Sequence, residues 1–101
     1  MDAELIRAKY YKYVPAVIIP NKVEISKTRF LLPESENFGL CIAGIRKHIK
    51  TKAGESVIFL IDNRTVDMQQ NVGAFYSQYK LNKKPKDSFL IINILKENTF
   101  G

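Results

Sequence analysis

Few residues in this chain could do covalent chemistry, and their spacing argues against catalysis. There is one cysteine, Cys41, and one histidine, His48. Cys41 has no histidine beside it in sequence to take its proton, so its plain reading is a half-buried thiol. His48 sits among Arg46, Lys47 and Lys50, the setting of a solvated surface residue rather than a base. Asp62, Asp67 and Glu55 lack the spacing of a metal loop. No Gly-rich segment could cradle a phosphate. The expectation is a chain that is not an enzyme and needs no metal or cofactor. One more group could react: the carboxylate of Gly101, which follows Lys96-Glu97-Asn98-Thr99-Phe100. Taken alone, that tail is only where the chain stops.

Bulk properties narrow the possible partners. With 101 residues the chain makes one domain with one modest core. At 46% hydrophobic and 26% charged it reads as globular rather than disordered. Its 16 Lys plus Arg against 10 Asp plus Glu give +6, a balance that suits nucleic acid, anionic lipid or acidic peptides. A lone cysteine leaves no internal disulfide, so a reducing compartment is expected. Met1-Asp2-Ala3-Glu4 opens acidic, unlike a signal peptide. No apolar run approaches the ~20 residues that cross a bilayer, so any membrane contact should be peripheral or covalent.

Periodicity then gives the elements. Residues 2–12 read as a helix capped by Asp2, with Glu4 in the first turn. Residues 14–19 are β-branched and read as a strand. A turn at 20–22 leads to a short strand at 28–32, stopped by Pro33. There Phe30 and Leu32 share one face and Leu31 the other. Phe38, Ile42, Ile45 and Ile49 recur at helical spacing and predict a long helix, capped by Ser35 or Asn37. Gly44 lies off that stripe. Residues 56–61 predict a central strand apolar on both faces, and Thr65-Val66 a brief return. Asn71 predicts the cap of a short helix over 72–79. A basic loop covers 82–87, a last strand 89–95 and a polar tail 96–101. The expected domain plan is a helix at 1–12, a domain at 13–95 and a tail at 96–101. Pattern alone gives an α+β class.

Six stretches in order carry a more specific likeness. They are Ile6-Arg7-Ala8-Lys9-Tyr10 with Val14-Pro15-Ala16-Val17-Ile18; Lys27-Thr28-Arg29-Phe30-Leu31-Leu32-Pro33; Ile45-Arg46-Lys47-His48-Ile49; Ile58-Phe59-Leu60-Ile61-Asp62-Asn63; Met68 with Gly73-Ala74-Phe75-Tyr76; and Thr99-Phe100-Gly101. Together they resemble the autophagy ubiquitin-like modifiers, the group of GABARAP and the microtubule-associated light chains, over about residues 5–101. The resemblance implies the ubiquitin-like β-grasp fold, ββαββαβ, with one N-terminal helix.

It also implies a function. The terminal Gly101 would be activated as an adenylate, passed to cysteines of activating and conjugating enzymes, and joined to the amine of phosphatidylethanolamine. With nothing after Gly101, either the form is processed or the gene ends there. Glycine suits this step because it has no side chain to obstruct a narrow enzyme channel. The resemblance implies cargo receptors or adaptors with an aromatic-x-x-aliphatic motif, adding a strand to the exposed edge of the second strand. Their aromatic residue would enter a first pocket of Ile6, Pro15, Arg29, Leu31 and Phe89. The aliphatic residue would enter a second pocket of Phe30, Leu32, Pro33 and Cys41. Lys27, Arg29 and Arg46 would meet acidic residues flanking the motif. The expected state is a monomer, cytoplasmic when free and on an autophagosome or related organelle membrane when lipidated.

Departures from the family pattern and rival readings complete the picture. The family carries two N-terminal helices, and this sequence has room for one. Gly44, Glu36 and Cys41 stand where the family has larger apolar residues, so the second pocket should be wider, shallower or more polar. Tyr13 and Thr28 replace usual basic residues. Lys80, Lys83, Lys84 and Lys86 with Tyr76 and Tyr79 make a basic-aromatic patch that could serve nucleic acid, though a solubilising loop is the favoured reading. The nearest rival family is the autophagy-related twelve type, joined to a protein lysine; it lacks the Ile6–Tyr10 pattern and usually carries Trp before its glycine. A β-grasp peptide-binding module that is never conjugated is the third reading.

Overall fold

A computed structural model of the chain describes residues 2–84 and 88–97. Helix α1 spans Ala3–Lys9, and the Asp2 side chain caps it by accepting from the Leu5 amide at 3.1 Å. It is shorter than the expected 2–12, because Tyr10–Lys12 turn the chain into β1 (Tyr13–Asn21). The remaining elements are β2 (Glu24–Ile25), β3 (Arg29–Pro33), α2 (Phe38–Arg46), β4 (Ile49–Lys50), β5 (Ser56–Ile61), β6 (Arg64–Thr65), α3 (Val72–Tyr79), a 3-10 turn (Lys80–Asn82) and β7 (Leu90–Glu97).

Five strands form one mixed sheet in the order β3-β1-β7-β5-β6. The central pair, β1 and β7, is parallel, from Ala16 opposite Leu90 to Asn21 opposite Leu95. The other pairings in this sheet are antiparallel. One face is the core, as alternation requires: Val14, Ala16 and Ile18 of β1, Leu32 of β3, Val57, Phe59 and Ile61 of β5, and Leu90, Ile92 and Ile94 of β7. Phe38, Ile42 and Ile45 of α2 and Val72, Tyr76 and Tyr79 of α3 belong to the same cluster. Set aside the two-residue β2 and β4, and the order after α1 is ββαββαβ, the ubiquitin-like β-grasp plan.

Besides α1, three boundaries differ from the sequence expectation by more than one residue. Ile49 leaves the helical stripe: α2 ends at Arg46, and Ile49 pairs with Ile25 in a small β2–β4 sheet. The strand β1 runs through Pro20 to Asn21, alongside β7. The strand β7 continues past residue 95, with Lys96 and Glu97 opposite Val57 and Ser56.

The starts of α2 and α3 are tied to one another. Asn37 accepts from the Leu40 amide at 3.0 Å and Asn71 from the Ala74 amide at 2.8 Å. Helix N-termini leave amides without helical partners, and each of these helices finds them beside the other. The Phe38 and Gly39 amides donate to the Gln70 and Met68 carbonyls, at 3.0 and 2.8 Å. The Val72 and Gly73 amides donate to the Glu36 and Glu34 carbonyls, at 2.9 and 3.0 Å.

Candidate functional site

Strand β3 lies at one edge of the sheet and, among the described residues, pairs only with β1. Its other side therefore offers backbone amides and carbonyls in register for an added strand. Beside that edge opens a cavity of about 530 Å³. Its lining includes all five residues expected of the first pocket: Ile6, Pro15, Arg29, Leu31 and Phe89. Helix α1 supplies Ile6, β1 supplies Pro15, β3 supplies Arg29 and Leu31, and Phe89 immediately precedes β7. Leu31 turns away from the core and is 40% exposed, whereas its neighbour Leu32 is 3% exposed. That settles which leucine is core. Lys9, Lys27 and Arg29 also line this cavity, so its apolar floor lies within reach of three cations.

Residues of the expected second pocket are distributed differently. Phe30 borders the first cavity. Lys27 Nζ lies 4.9 Å from its ring centroid, and the His48 ring meets it edge-on at 5.4 Å. Leu32 and Cys41 are buried in the core cluster and Pro33 is half-buried. None of these three lines the cavity that Phe30 borders. Gly44 is exposed, and a Cβ built on it would meet nothing within 4 Å. The α2 surface there is open. Burial pushes the Cys41 thiol above its ordinary pKa, and the Glu36 carboxylate adds to the effect, so Cys41 stays protonated at neutral pH. Arg46 is placed over the Phe59 ring, 4.8 Å from its centroid. It lines a small cavity of about 150 Å³ with Ile49, Thr51, Glu55 and Val57.

Sequence reasoning missed the device that holds α1 against the sheet. Arg7 Nη1 donates to the carbonyls of Tyr11 at 2.6 Å and Tyr13 at 2.7 Å, and to Glu34 Oε2 at 3.1 Å. The Glu34 amide donates to the Lys12 carbonyl. One arginine thus fixes the helix that contributes Ile6, Lys9 and Tyr10 to the first cavity. The available signal was its place inside Ile6–Tyr10. Also unforeseen is a cavity of about 470 Å³ lined by Phe38, Ile61, Val66 and Phe75, with Asp62, Arg64 and Asp67 around them.

The basic-aromatic patch does not offer open ring faces. Tyr76 and Tyr79 are 2% and 9% exposed, and the Tyr76 hydroxyl donates to the Ser88 carbonyl at 2.8 Å. Gly101, with residues 98–100, lies outside the described residues, as does Lys86. Among the described residues, no group of three or more His, Cys, Asp or Glu is placed to hold a metal ion. No helix among them is long and apolar enough to cross a membrane.

Comparison with known proteins gives the family and agrees with the fold. A family model described as "Autophagy protein Atg8 ubiquitin like" matches residues 1–101. The chain is 33% identical over 103 residues to Autophagy-related protein 8 of Dictyostelium discoideum, covering 98% of this chain and 82% of that protein. It is 32% identical over 107 residues to Autophagy-related protein 8e of Arabidopsis thaliana, covering 99% and 82%. Among solved structures, Trypanosoma brucei ATG8 superposes with a TM-score of 0.76 at 21% identity, covering 98% of this chain and 85% of that one. That likeness supports the fold.

Proposed function

The chain belongs to the Atg8 family of ubiquitin-like autophagy proteins, and from that premise we propose that it is a non-enzymatic modifier attached through Gly101 to phosphatidylethanolamine. The Gly101 carboxylate would react with ATP to give an adenylate and release pyrophosphate. A cysteine thiolate of the activating enzyme displaces AMP, and the thioester passes to a conjugating enzyme. The lipid amine then attacks the thioester carbonyl, an amide forms and the thiolate leaves. The chain moves from the cytoplasm to an autophagosome or related organelle membrane, where it recruits receptors bearing an aromatic-x-x-aliphatic motif.

One observation carries the recruiting half of this reading. Residues from α1, β1 and β3, with Phe89 just before β7, converge on one cavity beside an open strand edge, with cations around it. A peptide strand could pair with β3, seat its aromatic ring among Ile6, Pro15, Leu31 and Phe89, and set acidic neighbours near Lys9, Lys27 and Arg29. The conjugating half rests on family membership and on the Thr99-Phe100-Gly101 ending.

Reconstituted conjugation tests it. The chain is mixed with ATP, family activating and conjugating enzymes and phosphatidylethanolamine liposomes, then analysed by mass spectrometry. The expected result is a gain of one lipid mass, lost on deletion of Gly101. Absence of both thioester and lipid adduct would overturn lipid conjugation. Thioester without lipid transfer would point to a protein lysine as acceptor.

A further inference from the structure

We propose that His48 is a specificity residue of the peptide groove: carrying a proton, it favours peptides whose aromatic-x-x-aliphatic motif is flanked by carboxylates, so that binding such a peptide takes up a proton. This rests on the peptide-binding reading of the β3 edge and names a determinant within it.

Phe30 belongs to the edge strand β3 and borders the first cavity. Its ring is met by Lys27, whose Nζ lies 4.9 Å from the centroid, and by the His48 ring, edge-on at 5.4 Å. These distances keep the ammonium and the imidazole within one Debye length of each other, ~10 Å at 0.1 M salt. Arg46, expected to meet acidic residues, lies instead over Phe59 and lines another cavity. From the turn between α2 and β4, His48 touches the border of the groove.

The half-buried imidazole is anchored in either charge state. Ser26 Oγ lies 3.3 Å from His48 Nδ1 and 3.4 Å from the His48 carbonyl oxygen. The Ser26 amide donates to the same carbonyl at 2.9 Å. A hydroxyl that donates to the carbonyl accepts from Nδ1–H, and a protonated ring keeps that bond. The added proton then goes to Nε2, and the ring stays beside Phe30. Histidine is the side chain that changes charge near neutral pH, and this is the chain's one histidine.

The charges around it are mostly positive. Lys27 faces it across Phe30, Arg29 precedes Phe30 in β3, and Lys47 and Lys50 flank it in sequence. Glu24, on the strand opposite, is paired with Lys50 at 3.8 Å. Before α2, the Glu36 carboxylate acts on Cys41. A protonated imidazole therefore adds to a set of cations around one ring. A peptide strand paired along β3 passes that ring. A carboxylate on it meets Lys27 and Arg29 at any pH, and His48 as a cation only when the ring carries a proton. By linkage, the proton and the acidic peptide each tighten the binding of the other. A permanent cation in this place would give affinity without that dependence.

Calorimetric titration of the unconjugated chain tests this with two synthetic peptides that share the motif, one preceded by glutamates and the other by glutamines at the same places. The glutamate peptide should bind roughly threefold tighter at about pH 6 than at about pH 8, the worth of one exposed ion pair. The glutamine peptide should bind equally at both. Titrations in two buffers of different ionisation enthalpy should show proton uptake with the glutamate peptide alone. His48→Gln should remove both the pH dependence and the uptake, and His48→Arg should hold the tighter affinity at both pH values. Glutamate-peptide binding that does not change with pH would overturn the role of His48, as would a pH dependence that His48→Gln retains. If neither peptide binds at either pH, the groove reading itself falls and takes this one with it.

Discussion

Asn37 and Asn71 face one another in an isolated antiparallel bridge, and each caps the helix that follows it. The two helix starts thereby share one backbone junction, and a small residue sits two places after each cap. A Cβ on Gly73 would stand 2.8 Å from the Glu34 carbonyl oxygen and 3.0 Å from Glu34 Cβ; on Gly39 it would stand 3.1 Å from the Met68 carbonyl oxygen. Backbone gives way poorly, so Gly73→Ala should destabilise by about 1–3 kcal/mol, and Gly39→Ala by less. Gly44→Ala should stabilise by about 0.5–1 kcal/mol, because its Cβ meets open space in a helix interior. Urea unfolding midpoints for the three variants check this ordering.

Arg7 should matter to peptide binding without touching peptide. Its bonds to Tyr11, Tyr13 and Glu34 hold α1 in place. Arg7→Gln should lower affinity for an aromatic-x-x-aliphatic peptide about tenfold, equivalent to about 1.4 kcal/mol. Arg7→Lys should recover part of the loss, since a lysine can still reach Glu34 but presents no planar fork. Calorimetric titration gives the affinities, and unchanged binding by Arg7→Gln would show that α1 holds its place without the clamp.

The open surface at Gly44 predicts a gain of function. Gly44→Leu would add an apolar wall on the exposed side of α2, and burying part of a leucine is worth about 1–2 kcal/mol. Peptides with a large aliphatic residue should bind about tenfold tighter. An unchanged Kd would place the aliphatic residue elsewhere.

Cys41 should resist alkylation at neutral pH. Burial, reinforced by Glu36, raises its pKa, and the thiolate is the reactive form. The rate of modification by iodoacetamide in the folded protein should keep rising at pH values where a free thiol has already levelled off. Glu36→Gln should speed it modestly.

Glu55 gives an acid-side prediction. The Lys52 amide donates to its carboxylate at 2.6 Å and Lys96 pairs with it at 3.1 Å. Those contacts hold the carboxyl below its ordinary pKa, with the backbone bond first. A depressed carboxylate contributes its full stability above the unfolded-state pKa and loses it as pH falls through the folded one. Glu55→Gln should therefore flatten the acid limb of the stability–pH curve, and neutral-pH stability should fall only slightly.

Much of the frame was legible in local chemistry. Asn71 announced its helix as a cap, Asn37 was one of two candidates with Ser35, and Phe38, Ile42 and Ile45 announced the buried face of α2. Ile49 misled because its spacing continues the helical stripe after the chain has turned; only its pairing with Ile25 across the fold removes it. Two-residue strands such as β2 and β4 are too short to show a period. The strand β7 outlasts its apolar run because Lys96 and Glu97 are held by backbone pairing with β5, not by burial. The first cavity could be anticipated residue by residue through family likeness, whereas the choice between Leu31 and Leu32 needed the sheet's facing. Arg46 could not be placed from its helix alone, since its position over Phe59 depends on how α2 crosses β5.

The central pairing of β1 with β7 joins residues far apart in sequence. Ala16 lies opposite Leu90, with most of the described chain between them. The two strands flank each other mid-sheet, so the five-stranded sheet cannot close without β7. Because β7 lies between β1 and β5, a chain cut within β7 should lose the one strand that joins the two halves of the sheet.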